Sequence, residues 1–235
     1  MRGGATGLPV SMTTLGLIGS GRIGSTVARL AVAAGHEVVL SNSRGPQTLA
    51  GLCAQLGPAA RAAHREECAV AGDLVLVSTP LRAYPSLPAA ALAGKAVLDT
   101  GNYYPERDGQ IAPLESGELT DSGYLASFLP GARVVKVFNN IFFLHLLNLA
   151  RPGAAELADR SYLPIAGDDE GALAEVTAFL SSIGYGAASY RPLAESWRQQ
   201  PGTPVYGAPY GSFDDEKGTP AAEAVIRDAL AAAAR

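Results

Sequence analysis

From Thr14 onward the chain alternates short apolar runs with stretches whose apolar residues recur every three or four positions, a pattern that predicts parallel βαβ units. Thr14 to Ile18 reads as a first strand ending at glycine. Ile23 to Ala34 puts Ile23, Val27, Leu30 and Ala31 on one helical face, and Gly35 stops the helix. Glu37 to Leu40 is a second strand, followed by the polar turn Ser41-Asn42-Ser43-Arg44-Gly45-Pro46. Gln47 to Leu56 predicts a helix, with a short third strand near Ala60. Asp73 to Ser78 is apolar on both faces, as a strand inside a parallel sheet must be, and Thr79-Pro80 turns it into a helix from about Tyr84 to Leu92. Ala96 to Asp99 and Arg133 to Phe138 predict two further strands. Between them runs a glycine- and proline-rich excursion from Gly101 to about Gly117, the kind of segment that forms an active-site rim. An apolar helix from Ile141 to Ala150 and a strand from Tyr162 to Ala166 come next. The amphipathic helix Asp169 to Ile183 buries Leu173, Val176, Phe179 and Leu180. A tail rich in Pro, Gly and Tyr, Arg191 to Thr219, leads into the alanine-rich stretch Ala221 to Ala234.

The turn between the first strand and the first helix carries chemistry. Gly19-Ser20-Gly21-Arg22-Ile23-Gly24 is a G-x-G-x-x-G motif, and its place after a strand and before a helix gives it meaning. The first glycine permits the tight turn, the second lets backbone approach a pyrophosphate, and the third allows close helix–strand packing. The helix N-terminus adds free N–H groups and partial positive charge. At the end of the second strand an NAD-binding domain usually places an Asp or Glu on the ribose 2′-hydroxyl. Here Asn42, Ser43 and Arg44 stand instead, and the planar fork of an arginine suits a 2′-phosphate, so the residues favour NADP over NAD.

Together these features predict an α/β fold, Rossmann-type and doubly wound, with a mainly parallel sheet and a small C-terminal extension or lobe. Residues 1–12 are expected to be a flexible leader and 13–150 the NADP-binding Rossmann domain; 151–235 then form a small C-terminal α/β lobe and tail, intimate with the first.

Composition narrows the function classes. Hydrophobic residues make up 48% of the 235, enough for a sizeable core. With 18 basic and 22 acidic residues the net charge is -4, which argues against nucleic acid as a partner. Cys53 and Cys68 are the only cysteines and show no CxxC spacing, which points to a reducing cytoplasm. No apolar stretch approaches the about 20 residues needed to cross a bilayer, so no membrane partner is expected. His36, His64 and His145 are scattered and predict no metal site, and no G-x-S-x-G elbow suggests a serine nucleophile.

The stretches GLIGSGRIG, SNSRG, VVKVFNN and IAGDD, spread over roughly Thr14 to Ser189, resemble the F420-dependent NADP oxidoreductases. Archaeal members of that family pass hydride between NADP and the deazaflavin coenzyme F420. The resemblance implies a phosphate-selecting turn at Ser43 and Arg44, a strand-end segment at Ser78, Thr79 and Pro80, and a nicotinamide-side segment over Val135 to Asn140. The chain reads Phe138-Asn139-Asn140-Ile141 where archaeal members typically read FNTI, and with the run Phe142 to His145 it looks like a bacterial branch.

Catalytic candidates follow from what the reaction needs. Hydride transfer between two stacked rings relies mainly on proximity and orientation, whereas reduction of a carbonyl or imine asks for a proton donor. Asn139 and Asn140 follow a buried strand and serve a nicotinamide carboxamide, an acceptor, or the cap of the next helix. Tyr103 and Tyr104 open the long excursion, where a tyrosine stacks on a ring, donates a proton or packs the rim; His145 lies on the apolar helix as a proton donor or a structural residue. Lys136 is a donor or an ion-paired lysine, and Trp197, Tyr206 and Tyr210 line a substrate pocket or an interface. The leading expectation is an NADP(H)-dependent oxidoreductase passing hydride to or from a flavin-like partner, with coenzyme F420 implied by the resemblance. The alternatives are a reductase of a small ketone, enone or imine, and a non-catalytic NADP-sensing protein. A homodimer is expected through the apolar helix or the tail.

Overall fold

The protein is described from a computed structural model that covers residues 12–152 and 159–234. All of the expected leader except Met12 lies outside the described residues. The first half of the sheet holds β1 (Thr14–Ile18), β2 (Glu37–Ser41), β3 (Ala60–Ala62) and β4 (Leu74–Val77). β5 (Ala96–Asp99), β6 (Arg133–Lys136), β7 (Ser161–Gly167) and β8 (Tyr185–Tyr190) complete it in the order β3-β2-β1-β4-β5-β6-β7-β8. The chain winds outward from β1 to β3, returns to β4 beside β1, and winds the other way. That is the doubly wound Rossmann arrangement, with its switch point between β1 and β4. β7 is antiparallel to β6, and β8 runs parallel to β7.

Side-chain alternation along the strands builds two cores. Leu15, Leu17, Leu74, Leu76 and Leu98 face one side, where α1 (Arg22–Ala33), α2 (Ala50–Leu56), α8 (Phe143–Asn148), α9 (Glu170–Ser182) and α10 (Glu223–Ala231) pack. Ile18, Val75, Val77 and Val97 face the other, against α3 (Arg65–Ala71), α4 (Ala89–Leu92) and α7 (Asp121–Phe128). Burial of both faces explains why these strands read as continuous apolar runs. The same period-two logic turns Asp99 and Lys136 to the second side, and the β5–β6 register sets them opposite each other.

Several predicted elements are corrected. The helix expected from Tyr84 to Leu92 is a 3₁₀ turn, Leu81–Ser86, followed by the short α4, because Pro85 and Pro88 withhold the N–H groups a continuous helix needs. The helix expected over Gln47 to Leu56 starts as a 3₁₀ turn, Pro46–Leu49, before α2. The excursion after β5 contains two single-turn helices, α5 (Pro105–Asp108) and α6 (Ala112–Glu115). α3, α7 and β8 had no counterpart in the sequence reading. α8 is shorter than expected; its Leu146 is buried in the core with the flanking Ile141 and Leu149, while Leu147 is exposed and Phe143 half-buried. Among the described residues no helix is long and apolar enough to cross a membrane.

Candidate functional site

The loops after β1, β2 and β4 meet at the carboxyl end of the sheet and enclose a cleft of about 420 Å³. Backbone bonds hold the three strand ends in register: Gly19 N–H donates to the Ser41 carbonyl at 3.1 Å, and Ser78 N–H to the Ile18 carbonyl at 2.8 Å. The Ser20 hydroxyl adds a second bond to the Ser41 carbonyl at 2.8 Å. Gly19 has φ +106°, and a Cβ there would overlap the Ser78 carbonyl. A Cβ on Gly24 would overlap the Gly19 carbonyl, so this glycine is what lets α1 sit against the loop. A Cβ on Gly21, in contrast, would meet nothing within 4 Å. Two glycines are therefore required by the protein's own packing, and one faces open space, where a pyrophosphate would lie on the N-terminus of α1.

Asn42 shapes the β2 turn by accepting the Arg44 backbone N–H at 2.9 Å and donating to Thr48 Oγ1 at 2.9 Å. Arg44 itself is exposed and lines the cleft with Ser43. The structure adds two cations that no sequence pattern singles out, Arg65 at the start of α3 and Arg82 just after Pro80. Arg65 donates to Ser86 Oγ at 2.9 Å and pairs with Glu66 at 2.9 Å, on surface where the pair itself is worth little. No carboxylate lines this cleft among the described residues. Ser78, Thr79 and Pro80 form its far wall, and Thr79 Oγ1 is buried there without a hydrogen-bond partner. An orphaned hydroxyl, a glycine facing open space and three arginines fit a dinucleotide phosphate. Gly19 to Gly21 would hold its pyrophosphate, and Arg44 its 2′-phosphate.

Not every motif residue lines the cleft. Arg22 lays its guanidinium over the Phe143 ring, 5.1 Å from the centroid, and Ile23 packs at the margin of the core. Asn139 lies beyond the cleft, on the turn after β6.

That turn is built to be rigid. Phe138 is fully buried yet has φ +63°, a left-handed backbone that costs a bulky residue about 1–3 kcal/mol. Asn139 Nδ2 donates to Asn102 Oδ1 at 2.9 Å and to the Gln199 carbonyl at 2.7 Å, while Asn102 Nδ2 returns a bond to the Asn139 carbonyl at 2.8 Å. Asn140 Nδ2 donates to the Val205 carbonyl at 2.9 Å, and its own carbonyl accepts Gly207 N–H at 2.9 Å. The two asparagines thus tie the β6 turn to the excursion and to the tail. Their Oδ1 atoms are buried without partners and are the acceptors still free to receive a bond.

Beneath the turn, Asp99 and Lys136 are both fully buried and 3.3 Å apart. Asp99 also accepts the Ser122 hydroxyl at 2.6 Å and Gly101 N–H at 2.8 Å, and Lys136 donates to the Gly101 carbonyl. Lys136 is therefore an ion-paired lysine that fixes the start of the excursion. Nearby Asp121 accepts Tyr103 N–H at 3.0 Å, and its burial raises its carboxyl pKa above the ordinary range.

The other candidates are spread over several places rather than gathered at one. His145 is fully buried, with Nε2 2.6 Å from the Asp215 carbonyl. The Tyr103 hydroxyl bonds Glu115 and the Gly109 carbonyl, closing the excursion on itself. Tyr104 and Tyr206, both half-buried, share a 2.6 Å hydroxyl–hydroxyl bond at the rim. Tyr210 is buried and bonds the Tyr162 carbonyl at 2.9 Å, and Trp197 lines a second cavity of about 530 Å³ with Tyr103 and Asp121. Burial pushes the Cys68 thiol up to about 11, so it is a packing residue rather than a nucleophile. Among the described residues no group of three or more His, Cys, Asp or Glu side chains is placed to hold a metal ion.

Residues 14–103 match the family model of NADP oxidoreductases, coenzyme F420-dependent, so the resemblance to that family is supported over this N-terminal stretch, which carries the glycine loop and the β2 turn. No protein of curated function matches in sequence. Among solved structures, a hypothetical protein from Sinorhizobium meliloti is 27% identical with a TM-score of 0.71, covering 83% of this chain and 93% of that one. A protein from Arthrobacter sp. FB24, provisionally described as an F420-dependent NADP reductase, is 24% identical with a TM-score of 0.60, covering 76% and 85%. A reductive aminase from Aspergillus terreus, solved with NADPH and ethyl levulinate, shares the fold at 18% identity and a TM-score of 0.53, covering 78% and 56%. The coarse assignment is an NADP-dependent oxidoreductase on a Rossmann-type fold.

Proposed function

We propose that the protein passes hydride between NADP(H) and a flavin-like ring, with coenzyme F420 the partner that the family match suggests. The observation that carries this reading is the state of the expected proton donors. His145 is buried against the Asp215 carbonyl, and Tyr103 is closed on Glu115, so neither is free to protonate a carbonyl oxygen or imine nitrogen. Ring-to-ring transfer asks for no such side chain, because its barrier falls mainly through proximity and orientation.

NADPH, when bound, supplies the hydride and leaves as NADP⁺; the acceptor ring takes that hydride and one proton from solvent. The protein's share is positional. Gly19 to Gly21 and the N-terminus of α1 seat the pyrophosphate, Arg44 with Arg65 and Arg82 receives the 2′-phosphate end, and the Asn102–Asn139 lock keeps the nicotinamide side rigid. One observation favours a second reading, reduction of a small ketone, enone or imine. The Tyr104–Tyr206 pair is half-buried at the rim and offers a hydroxyl proton, although burial raises the Tyr206 pKa well above that of an ordinary phenol.

The deciding experiment follows NADPH oxidation by the purified protein with coenzyme F420, FMN, and a panel of ketones and imines in parallel. Turnover with a ring acceptor alone is expected. Turnover only with a ketone or imine would replace this reading by the second, and NADPH binding with no acceptor would favour a sensor. The 2′-phosphate assignment has its own check. Arg44→Ala is expected to weaken NADPH binding about tenfold or more while changing NADH binding less than twofold, in line with the loss of one charge-assisted contact. Equal losses for both nucleotides, read by fluorescence titration, would remove Arg44 from the phosphate.

A further inference from the structure

We propose that five half-exposed rings drawn from three distant segments, Tyr104, Tyr206, Phe213, Phe142 and Phe143, form one wall that docks the acceptor, and that the wall selects a planar conjugated ring bearing an anionic arm. The inference rests on the hydride-transfer reading above and names where its second substrate sits.

The rings form a chain, with the Gly207 backbone between Tyr206 and Phe213. Tyr104 meets Tyr206 through the 2.6 Å hydroxyl contact. The next residue, Gly207, carries Phe213 on its backbone, since a Cβ there would lie 2.7 Å from the Phe213 ring. Phe213 meets Phe142 with ring centroids 5.5 Å apart, and Phe142 meets Phe143 at 4.7 Å, both edge-on. Edge-on packing keeps the phenylalanines from covering one another's faces, and where Arg22, Arg107 and His145 lie over Phe143, Tyr104 and Phe213 each covers one face only. The wall is anchored to the β6 turn by the Gly207–Asn140 backbone bond. It reaches the coenzyme loop through Arg22, which lies over Phe143.

Exposure separates these rings from the structural ones. Tyr84, Tyr185 and Tyr210 are fully buried, as packing aromatics are, whereas Phe213 is 54% exposed and each of the other four is half-buried. A lone exposed ring needs no explanation, but a run of five beside a coenzyme cleft marks a binding surface. A small aliphatic ketone has too little area to engage more than one or two of them. A fused ring system spans several. Guanidinium groups bracket the wall at both ends, Arg22 over Phe143 and Arg107 over Tyr104 at 5.0 Å. Arg107 is already paired with Asp108, so Arg22 is the better partner for an anionic arm.

The test is fluorescence titration of FMN, riboflavin and coenzyme F420 into the protein saturated with NADP⁺, so that no hydride moves. Wild type is expected to bind FMN or F420, and riboflavin more weakly because it lacks the phosphate. Phe213→Ala should weaken ring binding about tenfold, Phe213→Tyr should restore it, and neither should change NADPH affinity by more than twofold. Arg22→Gln should bring FMN down to the riboflavin level. The proposal is overturned if Phe213→Ala binds FMN and F420 as wild type does, or if wild type binds neither ring. The two readings separate cleanly. NADPH oxidation by a ring acceptor with an unchanged KM in Phe213→Ala would remove the wall and keep the function. Phe213-dependent binding without turnover would keep the wall and remove the function.

Discussion

Lys136→Met is expected to lower the free energy of unfolding by about 3–5 kcal/mol, because it strands a carboxylate in the core. Asp99 and Lys136 are both fully inaccessible, and the β5–β6 register sets them opposite each other inside the sheet. Methionine fills nearly the same space, so the loss reports the uncompensated charge rather than a cavity. The remaining partners, the Ser122 and Tyr84 hydroxyls and Gly101 N–H, satisfy lone pairs but carry no opposite charge. Adding Asp99→Asn to Lys136→Met should recover much of the loss, since the neutral amide keeps its oxygen on Gly101 N–H and turns its NH2 to the Ser122 hydroxyl, which then accepts instead of donating. Urea unfolding of the two single variants and the double variant measures the coupling. A Lys136→Met loss below about 1 kcal/mol, the range of an exposed pair, would show that water reaches the site.

Function is expected to suffer with stability. Lys136 also bonds the Gly101 carbonyl, and the next residue, Asn102, makes the reciprocal amide lock with Asn139. The buried pair therefore underlies the rigid turn on the nicotinamide side. A loosening of that turn raises the hydride-transfer barrier through lost orientation.

What the sequence made legible and what it hid divide along a physical line. The strand-turn-helix of the glycine loop, the acid-free turn after β2 and the apolar strands rest on signals within about twenty residues, and local pattern captures them. Arg65 and Arg82 belong to loops that reach the cleft only because β3 and β4 flank β2 and β1 in space, and no spacing rule points to them. The asparagines stood out as candidates, but their partners Gln199 and Val205 lie 60 and 65 positions away, so their bracing role needed coordinates. α7 (DSGYLASF) escaped because it buries Asp121 and Ser122 beside Leu125, which spoils the apolar periodicity of an amphipathic helix. The tail tyrosines read as one group by composition, yet Tyr210 is core while Tyr206 lies on the rim.

A pair of glycine substitutions should separate the needs of the fold from the needs of the coenzyme. Gly24→Ala is expected to weaken NADPH binding by about two orders of magnitude and to lower stability together, because its Cβ would overlap the Gly19 carbonyl and backbone cannot yield as a side chain does. Gly21→Ala should behave differently. Its backbone, φ -74° and ψ -162°, suits any residue, and its Cβ would meet no protein atom within 4 Å. Nothing in the folded chain opposes the methyl group, so the melting temperature should hold within about two degrees, or rise slightly, as the unfolded chain loses freedom. NADPH binding should nonetheless fall at least tenfold, because the methyl would stand where the pyrophosphate approaches the backbone. A stable Gly21→Ala protein that has lost NADPH thus locates the phosphate on this loop by subtraction. Unchanged NADPH affinity in that variant would move the pyrophosphate elsewhere, and with it the orientation on which the hydride-transfer reading depends.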